Sequence, residues 1–294
     1  MGKTTLVISF SGGRTSAYMT WRLLKEWRDR YEKVYVVFAN TGQEHEETLR
    51  FVNLCDTVLG FNSVWIEANV SPDIGVGTNF NIVNHNSASR EGKPFEDVIA
   101  KYGIPFSKSP HCTRDLKEYP IRSYIRSLGL KNGDYDMAIG IRSDEKDRVN
   151  FAGMETKGII YPLIGWGIKK KDVLEWWAKQ GFDLKIPEHL GNCTWCWKKS
   201  FKKLATVYRE NPKFFDFPRR IESEYARAGS LATKLDKDIK PFRGWKGVAY
   251  IEELASSDIE SYTDEWWEAQ GGCGGESCEV FSLDGSEEIL DGKA

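Results

Sequence analysis

Apolar positions along the chain follow two alternating rhythms. Leu6 to Phe10 is a short apolar run halted at Ser11-Gly12-Gly13, and from Thr15 to Arg28 the residues Tyr18, Trp21, Leu24 and Trp27 recur at every third position. The run reads as a buried strand and the recurrence as an amphipathic helix. Lys33 to Ala39 (KVYVVFA) predicts a second strand, ended by Asn40-Thr41-Gly42. A helix from near Glu44 carries Leu49, Val52 and Cys55 on one face, and Ser63 to Glu67 predicts a third strand. Strand–helix–strand–helix–strand is the order of a parallel sheet with right-handed crossovers. The expected fold class is therefore α/β, a doubly wound, mostly parallel sheet with a helical C-terminal extension.

The pattern weakens after the third strand. Residues 68–110 are polar and rich in Asn, Ser and Gly, which predicts an inserted loop with a short strand around Asn79 to Val83 and a helix around Pro94 to Lys101. Long irregular segments of this kind usually serve function. Arg114 to Ser127 predicts a helix and Tyr135 to Ile141 a buried strand. Ile159 to Ile164 leads into a helix at Lys171 to Gln180. The expected organisation is a core domain over 1–200, a basic helical extension over 201–250 and an acidic, flexible tail over 251–294.

Composition narrows the class. The 294 residues are 40% hydrophobic and 29% charged, which excludes a wholly disordered chain and a membrane-embedded one. No apolar run approaches the ~18–20 residues that span a bilayer, and the N-terminus lacks a secretory pattern. Six cysteines, unevenly placed, do not make a disulfide framework, so a reduced, cytoplasmic protein is expected. The net charge of −2 hides an asymmetry: the first 250 residues sum to +10 and residues 251–294 to −12. A basic body suits an anionic ligand.

The first strand-to-helix junction offers such a ligand a seat. In Ser11-Gly12-Gly13-Arg14-Thr15-Ser16, two glycines let backbone N–H groups turn toward an anion. The helix N-terminus adds partial positive charge there, and the hydroxyls complete a phosphate cradle. The spacing is not that of the Walker loop, and Gly2-Lys3-Thr4 has nothing before it from which to build one. A plain strand-to-helix turn is the alternative reading of these residues.

SFSGGRTSAYM resembles the PP-loop of N-type ATP pyrophosphatases, with Arg14 at a position often lysine and Thr15 at one usually acidic. FANTGQEHEETLRFV (Phe38 to Val52) is similar to the second-strand motif of the PAPS reductase branch, and AIGIRSDEKDR (Ala138 to Arg148) to its Gly-x-Arg segment. The resemblance implies an adenine nucleotide bound at the carboxyl ends of the strands. Its site would comprise Ser9, Ser11, Gly12, Gly13, Arg14, Thr15, Ser16, Asn40, Thr41, Gly42, Gly140, Arg142 and Arg148. Arg14 and Arg142 would stabilise charge on a departing group.

Cys193-Thr194-Trp195-Cys196 is a Cys-x2-Cys turn, with Cys112 far upstream. Such turns serve zinc, iron–sulfur clusters and redox pairs alike. HCTRDLKEYP (His111 to Pro120) is similar to the family's Cys-Cys-x-x-Arg-Lys-x-x-Pro stretch, with His111 where a first cysteine would stand. YPLIGWGIKKKDVLEWW (Tyr161 to Trp177) is similar to the lead-in to the distal pair. Three thiolates resemble the pattern of iron–sulfur-dependent sulfur-transfer members, which implies a [4Fe–4S] cluster on Cys112, Cys193 and Cys196. A zinc ion is the alternative, and His111 is a possible fourth ligand.

The expected activity is adenylation of a substrate by ATP, with magnesium and pyrophosphate release, followed by sulfur transfer. Expected partners are sulfide or a sulfur donor protein, further copies of the chain in a homo-oligomer, and no membrane. The runner-up is a PAPS or APS reductase, with Cys273 or Cys278 as the attacking catalytic thiol. A third reading is a non-catalytic nucleotide- or nucleic-acid-binding protein with structural zinc. Lys169–Lys171, Lys198-Lys199, Lys202-Lys203 and Arg219-Arg220, with Trp195 and Trp197 as stacking faces, form the candidate nucleic-acid surface.

Overall fold

The computed structural model describes residues 4–263, apart from 74, 107 and 108. Six strands form one sheet: β1 (Thr5–Ser9), β2 (Lys33–Asn40), β3 (Val64–Asn69), β4 (Asn79–Val83), β5 (Tyr135–Ala138) and β6 (Ile159–Ile160). Their spatial order is β4-β3-β2-β1-β5-β6. All neighbours are parallel except β4, which runs antiparallel to β3 at one edge. The chain winds outward from β1 through β2 to β3, then returns to the other side of β1 as β5. That reversal puts the ligand crevice of an open α/β sheet beyond the carboxyl end of β1.

The helices are α1 (Arg14–Glu26), α2 (Glu46–Leu59), α3 (Lys93–Tyr102), α4 (Tyr119–Ser127), α5 (Phe151–Lys157), α6 (Pro162–Gly165) and α7 (Lys170–Trp177). They continue as α8 (Phe201–Glu210), α9 (Asp216–Tyr225), α10 (Gly229–Leu235) and α11 (Val248–Ser256). β1 is buried at every position, as a central parallel strand covered on both faces must be. Leu6 and Ile8 pack in one apolar cluster with α1, α2, α3 and α7, while Val7 packs in a second with Ile121, Tyr124 and Ile125 of α4. Alternation along one five-residue strand thus builds both cores.

One expectation is corrected. The strand expected over 135–141 stops at Ala138, because Ile141 N–H turns back to the Ile139 carbonyl at 3.0 Å. The lead-in over 159–164 holds the two-residue strand β6, which ends because Pro162 opens α6. Within 68–110 the expected short strand and helix are both present: β4 extends the sheet, and Phe95, Val98 and Ile99 of α3 are buried in the main core.

The extension is also no appendage. Leu204, Val207, Phe215, Phe217, Ile221 and Ile251 belong to the same core as β1. Residues 251–256, expected to open a flexible tail, instead complete α11, packed on α8. Residues 264–294 lie outside the described part. Among the described residues, no helix is long and apolar enough to cross a membrane.

The join between body and extension is tight enough to exclude side chains. Gly103 and Gly229 both have positive φ, +91° and +79°, and a Cβ on Gly103 would stand 2.6 Å from the Ala228 carbonyl oxygen. A Cβ on Gly229 would overlap the Tyr102 carbonyl. Gly229→Ala is therefore expected to cost about 2–4 kcal/mol from backbone strain plus overlap. Urea unfolding should show one cooperative transition shifted to lower denaturant, not loss of an independent C-terminal unit.

Candidate active site

Beyond β1 the chain turns at Gly12 (φ +81°), where a Cβ would stand 3.0 Å from Thr48 Cγ2 and 3.1 Å from Phe38 Cε2. Only glycine fits this close approach without strain. Gly13 is the N-cap of α1 and has no side chain to cap it, and the first turn holds no acidic residue. The α1 amides therefore meet the cleft with no side-chain cap and no carboxylate of their own first turn, the arrangement that attracts anions. Ser16 shapes the loop from inside: its Oγ accepts from Ser11 N–H at 3.2 Å and lies 2.9 Å from Ser11 Oγ and 3.1 Å from the Gly13 carbonyl.

This loop forms one wall of a cleft of about 320 Å³. Ser11, Gly12, Gly13, Arg14, Thr15, Ser16, Gly140, Arg142 and Arg148 all line it. Ser9 is buried inside β1 instead. Gly140 lets the chain after β5 approach α1, since a Cβ there would be 3.2 Å from Ser16 Cα. Arg142, 8% exposed, donates to Thr15 Oγ1 at 3.1 Å and to Asp144 at 3.0 Å. Thr15 thus accepts a hydrogen bond from the arginine. Glu145 lies between Arg142 and Arg148, at 3.3 and 2.5 Å, while Arg148 Nη2 is buried without a partner.

Arg14 plays a different part from the one expected. Its guanidinium forks onto Asp183, at 2.7 and 3.0 Å, and also donates to the Leu184 carbonyl. The buried Trp177 indole donates to the Arg14 carbonyl at 2.9 Å. Arg14 therefore fastens the loop to the segment after α7.

Asn40, Thr41 and Gly42 do not line the cleft. Asn40 is fully buried, donating to Glu67 at 2.6 Å and to the Ser89 carbonyl at 2.9 Å. Thr41 instead faces the cysteines, its Oγ1 3.4 Å from Cys193 Sγ. The segment after β2 is strapped to the Cys-x2-Cys turn. Glu44 and Cys193 form an antiparallel bridge, Thr194 N–H donates to the Gln43 carbonyl at 3.0 Å, and the Trp195 indole donates to Gln43 Oε1 at 2.7 Å.

Cys112, Cys193 and Cys196 are all buried and line one narrow pocket of about 10 Å³, room for roughly one water. Cys112 leads into a π-helical turn, Arg114–Glu118, that presents Lys117. Lys117, 6% exposed, lines this pocket and the large cleft both. A set of three thiols suits a soft metal. Among the described residues, however, no three His, Cys, Asp or Glu side chains converge closely enough to hold a metal ion.

His111 does not line the thiol pocket. It is 5% exposed, its Nδ1 is 3.2 Å from Ser109 Oγ and its Nε2 has no partner. Burial, then the Arg114 charge, lower its pKa to about 4, so the ring is neutral near pH 7. Cys55 is core, as its place on the apolar face of α2 implied. Cys273 and Cys278 lie outside the described residues.

The nucleic-acid surface is corrected. Trp195 and Trp197 are 1% and 7% exposed and offer no open stacking face, and Lys198, Lys199 and Lys203 are buried too. Lys199 Nζ donates to the Cys193 and Thr194 carbonyls at 2.9 and 2.8 Å. Sequence reasoning had not singled out Lys117, Glu145 or Glu188. The signal for Lys117 was its place three residues before Pro120 in the cysteine motif; the two glutamates had none.

A sheet whose central strand delivers a Ser-Gly-Gly loop to an uncapped helix, beside a three-thiol pocket, defines a nucleotide-cleft protein of the PP-loop type. Residues 5–185 match the phosphoadenosine phosphosulfate reductase domain, and the chain belongs to that family. It is also 34% identical over 284 residues to the "Uncharacterized nin region protein ORF290" of Escherichia phage lambda, covering 94% of each chain.

The burial of the thiols is directly measurable. In a Cys273→Ser/Cys278→Ser background, Cys55, Cys112, Cys193 and Cys196 remain, all buried. An aromatic disulfide reagent should label none of them on the timescale of minutes in native protein and all four in denaturant, as read by absorbance.

Proposed function

We propose that the chain uses ATP to adenylate an acceptor and then replaces the activated oxygen with sulfur. The observation that carries this reading is Lys117, which stands in the wall of both the anion cleft and the thiol pocket. Phosphate chemistry and thiol chemistry are thereby neighbours.

On this reading the β- and γ-phosphates lie on Ser11 to Ser16, against the α1 amides, and ATP enters as its magnesium complex. An acceptor oxygen attacks the α-phosphorus, the bond from that phosphorus to the bridging oxygen breaks, and pyrophosphate leaves. Arg142, held by Asp144, Glu145 and Thr15, faces the charge that builds on the leaving group. Hydrosulfide then attacks the adenylated atom, forming a bond to sulfur as the bond to oxygen breaks and AMP departs. No oxidant or reductant is consumed.

Cys112, Cys193 and Cys196 are the residues proposed to hold an iron–sulfur cluster, which would supply a coordination site for sulfide. A cluster asks less convergence than a single ion, because each thiolate takes a different iron.

Two measurements test the reading on anaerobically purified full-length chain. ATP is expected to yield AMP and pyrophosphate, with the rate in Gly13→Asp reduced about 100-fold or more by a carboxylate set against the phosphates. Sulfite release from PAPS with ATP left intact would overturn it in favour of a reductase. Metal analysis is expected to find iron and acid-labile sulfide; stoichiometric zinc without iron would remove the sulfur-transfer half.

A further inference from the structure

The family match ends at residue 185, yet the cleft continues past it. Glu188, Lys199 and Lys203 line this later wall together with Lys170 of α7. Lys199 and Lys203 are 3% and 4% exposed, unusual for lysine. Lys170 Nζ donates to Glu188 Oε2 at 3.0 Å, and Lys203 Nζ stands 3.4 Å from Oε1 of the same carboxylate. One carboxylate thus bridges two ammonium groups at the edge of an open cavity. Burial raises the Glu188 pKa, but Lys170 and Lys203 outweigh it and leave the carboxylate below its usual range.

A bridging carboxylate in that position is an internal counterion. It offers two oxygens to two lysines, as an arriving oxyanion would. A second carboxylate gains nothing by displacing it, since charge and geometry are alike. A phosphate dianion gains, because it brings twice the charge to the same pair of cations. The wall also stands against the thiols, because Lys199 holds the Cys193 and Thr194 carbonyls. A group docked here would share the cleft with the nucleotide loop.

We propose that Lys170, Lys203 and Glu188 form an acceptor subsite that takes a phosphate group of the acceptor, with Glu188 as the displaceable counterion. The assignment rests on the reading that the nucleotide's own phosphates occupy Ser11 to Ser16. It makes the acceptor a phosphate-bearing molecule, small enough, or with an end small enough, to enter a cleft of about 320 Å³.

The probe is radiolabelled inorganic phosphate, measured by equilibrium dialysis on the full chain with α,β-methylene-ATP saturating. Phosphate is expected to bind alongside the analogue. Glu188→Gln should tighten it about tenfold by removing the competing charge, and Lys203→Met should weaken it about tenfold. Lys203→Arg should restore binding, which separates charge from folding. Loss of phosphate binding when the analogue is added overturns the proposal, because the two would share one place. Unchanged or weaker binding in Glu188→Gln also overturns it. Failure of the nucleotide reading has its own signature: unaltered analogue affinity in Gly13→Asp.

Discussion

The strap between residues 41–44 and 193–195 is the constraint on which the site depends. Left to itself, the segment after β2 would be a loop at the end of a strand, and the Cys-x2-Cys turn a surface excursion. The Glu44–Cys193 bridge, the Gln43–Thr194 bond and the Trp195 indole on Gln43 make them one short ribbon. The indole and the Gln43 amide are both buried, so each would leave an unsatisfied polar group if the other were lost. Trp195 further stacks on Phe95 at 5.2 Å between ring centres, which ties the ribbon to α3. The thiols are buried next to the anion cleft because this ribbon holds them there.

The cleft follows a second rule: its three arginines, with Lys170 and Lys203, are held in place by carboxylates of the protein. Asp183 holds Arg14, Asp144 and Glu145 hold Arg142, Glu145 holds Arg148, and Glu188 joins Lys170 and Lys203. Fixed partners lower the entropy that an arriving anion would otherwise have to remove from long side chains. They also limit how many free charges meet the ligand. Arg14 shows the limit: a fork locked on Asp183 fastens the loop more than it attracts a phosphate.

The sheet and the phosphate loop were legible because their signals are local. Leu6–Phe10 and KVYVVFA are apolar runs ended by turn residues, and within the phosphate loop the positive φ falls on a glycine, Gly12. The extension was misread as separate because helix periodicity tells which face is apolar and not what covers it; Leu204, Phe215 and Ile221 turned out to pack on the core of β1. Trp195 and Trp197 were misread for a related reason. An aromatic beside lysines looks like a stacking face until burial is known. Asn40 to Gly42 were placed at the nucleotide by their position after a strand, whereas the strap turns them toward Glu67, Ser89 and Cys193. Contacts between residues 27 to 152 apart leave no periodic trace.

That separation has a consequence for the order in which the protein is made. Gln43 and Trp195 are 152 residues apart in the chain, and the last wall of the cleft is contributed by Lys203. During synthesis the strands of β1 to β3 can pair long before their partner ribbon exists, leaving Gln43 exposed until the Cys-x2-Cys turn leaves the ribosome. The nucleotide cleft is thus completed late, in a chain already two-thirds made. Ligand binding can stabilise the finished molecule, but it cannot guide the early steps of its folding.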